Sequence, residues 1–347
     1  STFVPSFNPT DIISNIKTIL KKINKNNNIY SKEFINSIEL QELNPWYRGF
    51  TGSIVKSGDN SYMSYGIYKR TNNSQVEIQE LPIRTWTDKY KEFLESMIID
   101  NSKDKKKPNQ CLRNYSSQCS DTKVSFTLTF ATDKLDDLLY DETRNKDGLN
   151  KFEKLFKLSS KVNTSNMVLY NRNGFLKKYK NPHDILKDFI EVRLECYVNR
   201  KNYQLKNLER ELVILNARVK FILEFISGDI VIAKRSKNEL IEQLVNRKYP
   251  NMDKDEIIND SINHSTNGFD YLIKMPIYNL TKERIDELNK DNDMKTEMYQ
   301  NLKDKTIDRI YYDELTELEK EYKKFLTEKE KNEEYEPKKK KIVKKKK

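Results

Sequence analysis

The sequence predicts an α+β head followed by a long helical arm, on three observations. Short runs rich in Tyr, Ile and Val, divided by turn residues, fill much of the first half. A ladder of apolar residues at alternating spacings of three and four dominates the second. The charge divides near the same place: residues 1–180 carry 29 Lys/Arg against 20 Asp/Glu, and residues 181–337 carry 27 against 33. The last ten residues add eight lysines and complete the net charge of +11. A polyanion would therefore meet the first half or the tail, and the acidic arm would repel it.

In chain order, Ser1–Pro9 is apolar and proline-punctuated, and it starts abruptly, as though cut from something longer. Asn8 and Pro9 read as N-cap and first-turn residue of a helix through Ile12, Ile16, Ile19, Leu20 and Ile23, with Phe3 and Val4 as its hydrophobic staple. From Trp46 to Leu81 the pattern is strands, with hairpin turns at Ser57–Asn60 and Thr71–Ser74. Trp86 and Thr87 open a helix through Tyr90, Phe93, Leu94 and Met97. Residues 101–121 are polar and read as a loop. Val124, Phe126, Leu128 and Phe130 alternate as a half-buried strand, a short helix covers Thr132–Tyr140, and a second hydrophobic patch runs from Phe152 to Tyr170. Residues 29–180 thus form an α+β domain with a mainly antiparallel sheet.

The arm is a helix whose seam is Leu205, Leu208, Leu212, Leu215, Val219 and Ile222, continued backwards by Ile185, Leu186, Phe189, Val192 and Leu194. Pro182 suits its first turn and Gly228 its stop. At 1.5 Å per residue it is a rod of roughly 65 Å, long enough to connect two places. Beyond it, Lys237–Asn246 is a helix, Asp253–Thr266 reads as irregular, and Phe269–Pro276 as a buried turn. Thr281 caps a further helix, and a last one carries Ile310, Leu315, Leu318, Tyr322 and Phe325 to about Lys331; both can pack back along the arm as an antiparallel pair. The lysine tail is a nuclear-import or nonspecific DNA-binding segment, or a solubilising end.

Composition sets limits. Mean hydropathy is −0.87, yet 20 Tyr and 15 Phe argue against wholesale disorder. Cys111, Cys119 and Cys196 have no close pairing and the only histidines are His183 and His264, so a Cys/His metal site is not expected. No apolar run is long enough to span a bilayer, and the N-terminus has no signal-peptide pattern. These features predict a soluble intracellular protein. The eight glycines form no nucleotide cradle, and Asp291-Asn-Asp293 reads as a solvated helix face.

Four segments then bring a family into view. Pro45–Phe50 (PWYRGF), Glu80–Thr87 (ELPIRTWT), Phe156–Met167 (FKLSSKVNTSNM), and Tyr271–Pro276 (YLIKMP) with Leu280–Arg284 (LTKER) resemble, in order and spacing, the type IIA DNA topoisomerases of eukaryotes and large DNA viruses. The resemblance implies an ATP-dependent enzyme that breaks both strands of one duplex, passes a second through and reseals. It implies that residues 1–28 are the end of a winged-helix/tower junction with a linking helix, and 29–180 a DNA-binding tower. Residues 181–336 would be coiled-coil arms with a C-terminal dimer gate, and 337–347 the lysine-rich tail. It places the attacking tyrosine, the Mg2+ carboxylates and the ATP site outside this chain, which has no Arg-Tyr pair among its 20 tyrosines. Double-stranded DNA, a homodimer through the gate and a nuclear location are the implied partners and place.

Residue by residue, the resemblance makes Val4, followed by Pro5, the wedge that enters a base step of the gate duplex. Wedges unstack a step at a cost recovered from the surface a bent duplex can contact. Read alone, Val4 is a core residue. Trp86 and the segment Lys157, Leu158, Ser159, Ser160, Lys161, Val162, Asn163, Thr164, Ser165 and Asn166 match DNA-contacting positions. The segment's lysines can neutralise phosphates and its hydroxyl and amide groups can donate to them, so binding should be salt-sensitive and nearly sequence-neutral. Trp86 could equally be core. Arg48 and Arg84 can reach phosphate or form structural ion pairs, and stay outside the site. No catalytic or metal-ligating residue is assigned. Two other readings remain: a non-enzymatic coiled-coil scaffold with a basic DNA-binding head, and a free-standing DNA-bending protein.

Overall fold

The computed structural model describes residues 3–25, 31–99, 110–120, 122–130, 134–139, 148–232, 235–253, 256–258, 268–276, 278 and 281–334. The chain divides into two units. Ser1–Ile19 and Ser31–Ile190 form one, and Leu20–Tyr30 with Glu191–Lys347 the other.

In the first unit, the Asn8 side chain accepts from the Thr10 amide (3.0 Å) and starts α1 (Pro9–Lys25), which belongs to this unit as far as Ile19 and has Ile13, Ile16 and Ile19 buried. Next come α2 (Lys32–Ser37), capped by Ser31, and the hairpin β1 (Ser53–Gly58) and β2 (Ser61–Tyr65). A second hairpin, β3 (Ile67–Asn72) and β4 (Gln75–Glu80), leads through a turn into α3 (Thr87–Ser96). Then follow β5 (Leu112–Ser117), β6 (Phe126–Phe130), α4 (Lys134–Leu139), α5 (Lys151–Leu155), β7 (Ser159–Asn163) and the hairpin of β8 (Met167–Tyr170) and β9 (Leu176–Tyr179). All named strand pairs are antiparallel: β3-β4-β6-β5 in one sheet, β1-β2-β7 in another, β8-β9 in a third.

The four-stranded sheet carries the core. Val76 and Ile78 of β4 and Phe126, Leu128 and Phe130 of β6 alternate inward, and Tyr90 and Leu94 of α3 pack against them with Phe152 and Phe156. Phe130 meets Phe156 edge-on with ring centroids 5.6 Å apart. Gly66 turns the chain from one sheet to the other. A Cβ there would lie 2.4 Å from the Glu80 carbonyl, so only glycine fits. The loop expected over 101–121 contains a strand. β5 is the edge of its sheet: only its first residue, Leu112, also bonds to the Met97 and Ile99 backbone, and the strand needs just Leu112 buried and Tyr115 half-buried, so its polar spelling hides it. Residues 101–109 lie outside the described residues.

The second unit contains most of α6 (Pro182–Ile226), which stops before Gly228 at φ +84. Then come α7 (Lys237–Asn246), the strands β10 (Asn251–Asp253) and β11 (Glu256–Ile258), α8 (Asp270–Ile273), α9 (Lys282–Asp304) and α10 (Ile307–Glu334). The irregular stretch expected over 253–266 therefore begins as half of an antiparallel hairpin, which needs only backbone pairing; residues 259–267 are not described. Thr281 caps α9 as expected, accepting from the Arg284 amide. α9 runs antiparallel to α6. Asn292 donates to Asn216 (2.7 Å), Lys295 pairs with Glu211, and the Lys201 ammonium reaches the Lys305 carbonyl (2.6 Å). Leu215 and Ile222 of the seam bury against Leu288. Nearer its N-terminus α6 meets α10, where Tyr197 stacks on Tyr311 at 4.5 Å and donates to Glu314 (2.5 Å).

Candidate nucleic-acid interface

The site in the first unit is built from three short segments that hydrogen bonds draw together. The opening segment is fastened at both ends: the Phe3 amide donates to the Asn166 carbonyl (3.0 Å), and the Trp46 amide to the Ser6 carbonyl (2.8 Å). Phe7 forms a bridge with Pro45. Between these anchors Pro5 is buried and Val4 half-buried.

The second segment is the turn before α3. The Ser160 hydroxyl donates to the Ile83 carbonyl (2.7 Å) and shares a hydrogen bond with the Ser64 hydroxyl (2.9 Å), which accepts from the Ile83 amide (3.3 Å). This clamp fixes Arg84 at φ +71 and lays its guanidinium 3.5 Å from the Phe3 ring centroid. Trp86 follows as the N-cap of α3 and is 73% exposed, so it is not a core residue. Tyr47 sits nearby. Burial pushes its phenol up, and the Arg84 charge pulls the other way.

The third segment begins where α5 ends. The Asn150–Glu153 capping box starts that helix. At its end the Leu158 amide donates to the Glu153 carbonyl (2.9 Å) and the Lys157 amide to Lys154 (3.3 Å), a Schellman turn. The left-handed position of such a turn usually holds glycine, and here Lys157 occupies it at φ +51. The Tyr90 hydroxyl locks the turn to α3 by donating to the Phe156 carbonyl (2.8 Å).

Together Arg84, Thr85, Trp86, Lys89, Tyr90, Phe93, Leu149, Lys154, Lys157 and Ser159 line an open cleft of about 460 Å³. Four of these are basic and none acidic. The Lys157 ammonium lies 4.4 Å from the Phe93 ring centroid. Two non-glycine residues with left-handed backbone, Arg84 and Lys157, thus face one cleft. Backbone strain of this kind concentrates at functional sites.

Among the residues expected at the site, Lys157, Lys161, Asn163, Ser165 and Asn166 are exposed and Ser159 is half-buried. Leu158 (1% exposed) and Val162 (0%) point into the core, so their side chains cannot reach a duplex and only their backbone could. Ser160 spends its hydroxyl on the clamp, and Thr164 is buried with its amide on the Asn60 carbonyl (2.9 Å). Arg84, Lys89 and Lys154 join the cleft although the sequence reading left them out. Only the fold shows which basic residues converge.

These observations meet known proteins at one point. The family model that describes the A subunits of DNA gyrase and topoisomerase IV matches residues 1–321. The chain belongs to that family. It is 31% identical to DNA topoisomerase 2 of Plasmodium falciparum over 343 residues, covering 92% of this chain and 22% of that protein. It is 34% identical to DNA topoisomerase 2-alpha of Gallus gallus over 327 residues, covering 90% and 19%. The crystal structure of the Plasmodium falciparum topoisomerase II DNA-binding, cleavage and re-ligation domain superposes with a TM-score of 0.77 at 31% identity. That match covers 97% of this chain and 43% of the other. The chain thus spans about a fifth of the length of the curated relatives it matches. Membership does not favour the scaffold reading. Among the described residues, no helix is long and apolar enough to cross a membrane, and no three His, Cys, Asp or Glu side chains come together to hold a metal.

Proposed function

We propose that this chain is the DNA-supporting and arm portion of a homodimeric, ATP-dependent type II topoisomerase acting on nuclear double-stranded DNA. Its first unit supports and bends the duplex to be cut. Val4 and Pro5 form the wedge, and Trp86 with the exposed part of Lys157–Asn166 follows the backbone. Its second unit carries the dimer gate through which a passed duplex leaves. The attacking tyrosine, Mg2+ and ATP belong to parts of the enzyme outside this chain, and no chemical step is assigned to its residues. What they do is bind, orient and hold charge.

The observation that supports this reading most is the convergence of Arg84, Lys89, Lys154 and Lys157 on one cleft beside exposed Trp86, with no opposing carboxylate. Backbone binding of this kind releases counterions, and the log of affinity falls with log salt in proportion to the phosphates neutralised. The test is a salt series of duplex affinity on the whole chain. Lys157→Ala/Lys161→Ala should flatten the slope by about two, while Lys290→Ala/Lys320→Ala, which removes equal charge from the second unit, should leave it unchanged. Equal effects from both pairs would remove the support for this interface.

A further inference from the structure

Arg84 belongs to two places at once. It lines the basic cleft beside Trp86, Lys154 and Lys157, and its guanidinium carbon lies 3.5 Å from the centroid of the Phe3 ring. An edge-on guanidinium would drive an N–H into the ring at that distance, so the two planes stack. Phe3 is the residue before Val4, and its amide donates to the Asn166 carbonyl (3.0 Å). The clamp through Ser64, Ile83 and Ser160 holds the backbone that places Arg84 there. That backbone is left-handed (φ +71), a conformation a non-glycine residue keeps only where its surroundings enforce it. Among the described residues no carboxylate pairs with Arg84, and none lines the cleft.

A stacked guanidinium still has its donors to give. Its five N–H groups lie in the plane and point outward from the edge, whereas the stack uses the face. We propose that Arg84 is a positioning residue: its edge takes a backbone phosphate while its face holds Phe3, which ties the opening segment to a duplex held in the cleft. This rests on the reading of the first unit as a duplex support with Val4 as its wedge, and it adds a link between the two. Lys154 and Lys157 can neutralise phosphate, but an ammonium is a point charge and orients nothing behind it. The planar fork of Arg84 fixes both the phosphate and the ring. Cation–π attraction grows as water leaves. A duplex closing over the cleft therefore tightens the grip on Phe3 at the moment Val4 must press into a base step. Capture of the backbone and placement of the wedge become one event.

Two measurements on the whole chain test this: amide exchange at Phe3, and bending of a doubly labelled duplex. Without DNA, Arg84→Ala and Phe3→Leu should each speed exchange of the Phe3 amide about two- to fivefold, the scale of an exposed cation–π contact. Duplex should slow that amide in the parent, and less in either variant. Both variants should lower bending, but only Arg84→Ala should also flatten the salt slope of affinity, by about one. Phe3→Tyr, which restores a ring, should recover most of the bending lost in Phe3→Leu. The double variant Arg84→Ala/Phe3→Leu should bend duplex no less than Arg84→Ala alone, because the two residues act through one contact. Phe3 exchange indifferent to Arg84→Ala, additive losses in the double variant, or no recovery with Phe3→Tyr would overturn the proposal. A parent chain that leaves duplex straight would instead overturn the reading beneath it and the proposal with it, and the exchange data would then show whether the stack itself stands.

Discussion

The Tyr90 hydroxyl donates to the Phe156 carbonyl across 2.8 Å of core, and this one bond joins the helix that presents Trp86 to the turn that presents Lys157. Burial pushes the Tyr90 phenol well above its ordinary range, so it stays a donor at every working pH. Tyr90→Phe keeps the ring packing but leaves the carbonyl without its partner. It should lower the stability of the first unit by about 1–3 kcal/mol in urea unfolding. Duplex binding should weaken as well, since the two segments lose their tie. An unchanged urea midpoint would show that the bond is incidental.

Lys157 separates stability from function. A non-glycine residue in the left-handed region costs about 1 kcal/mol, and Lys157→Gly relieves it. The variant should be as stable as the parent or slightly more so, yet bind duplex less tightly with a salt slope reduced by about one. Lys248 is an internal control. It occupies the same position at the end of α7 (φ +58), where the Tyr249 amide donates to the Leu244 carbonyl (3.0 Å). Lys248→Gly should change stability alike and leave duplex affinity alone. Matching losses of affinity in both variants would deny Lys157 its phosphate role.

The contrast between these sites shows what the sequence could reveal. Helix periods, the Asn8 and Thr281 caps, the Gly228 stop and the alternation in β6 are local, because each is read within a turn or two of chain. The cleft is not local. Ser64, Ile83 and Ser160 are far apart in sequence, and nothing in their spacing announces the clamp that orients Arg84. Edge strand β5 is hidden for a related reason: beyond Leu112 it pairs on one side only, and such a strand can be spelled with polar residues. Family motifs pointed to the segment proposed to face DNA, but burial decides which of its side chains could act, and those of Leu158 and Val162 cannot.

Glu314 gives the second unit an acid-sensitive contact. Burial pushes its carboxyl up, but hydrogen bonds from Arg200 and Tyr197 outweigh this and hold it below the usual glutamate range. Burial, then the bond to Glu314, pushes Tyr197 up to about 12. Because the folded carboxyl is depressed, its stabilisation is complete above the unfolded value, about 4.3, and is lost as pH falls through the folded one. Glu314→Gln should therefore lower stability at pH 7 and flatten the loss of stability between about pH 5 and 3. Thermal melts across that range check it. Parallel curves for parent and variant would mean that the contact contributes nothing to acid lability.

The wedge predicts a split between shape and affinity. Val4 is held on a backbone fastened at Asn166 and Trp46, with Pro5 buried behind it, so its position does not depend on its own side chain. Shortening it should remove contact with a base step without moving the platform. Val4→Ala should then reduce bending, read as end-to-end energy transfer on a doubly labelled duplex, more than it reduces affinity. Val4→Ile adds one methylene and should increase bending. On the proposed reading affinity rests on phosphate contacts, and it should move little in either variant at fixed salt. If bending and affinity fall in proportion for Val4→Ala, the residue acts through folding of the opening segment. If neither variant alters bending, Val4 is not a wedge.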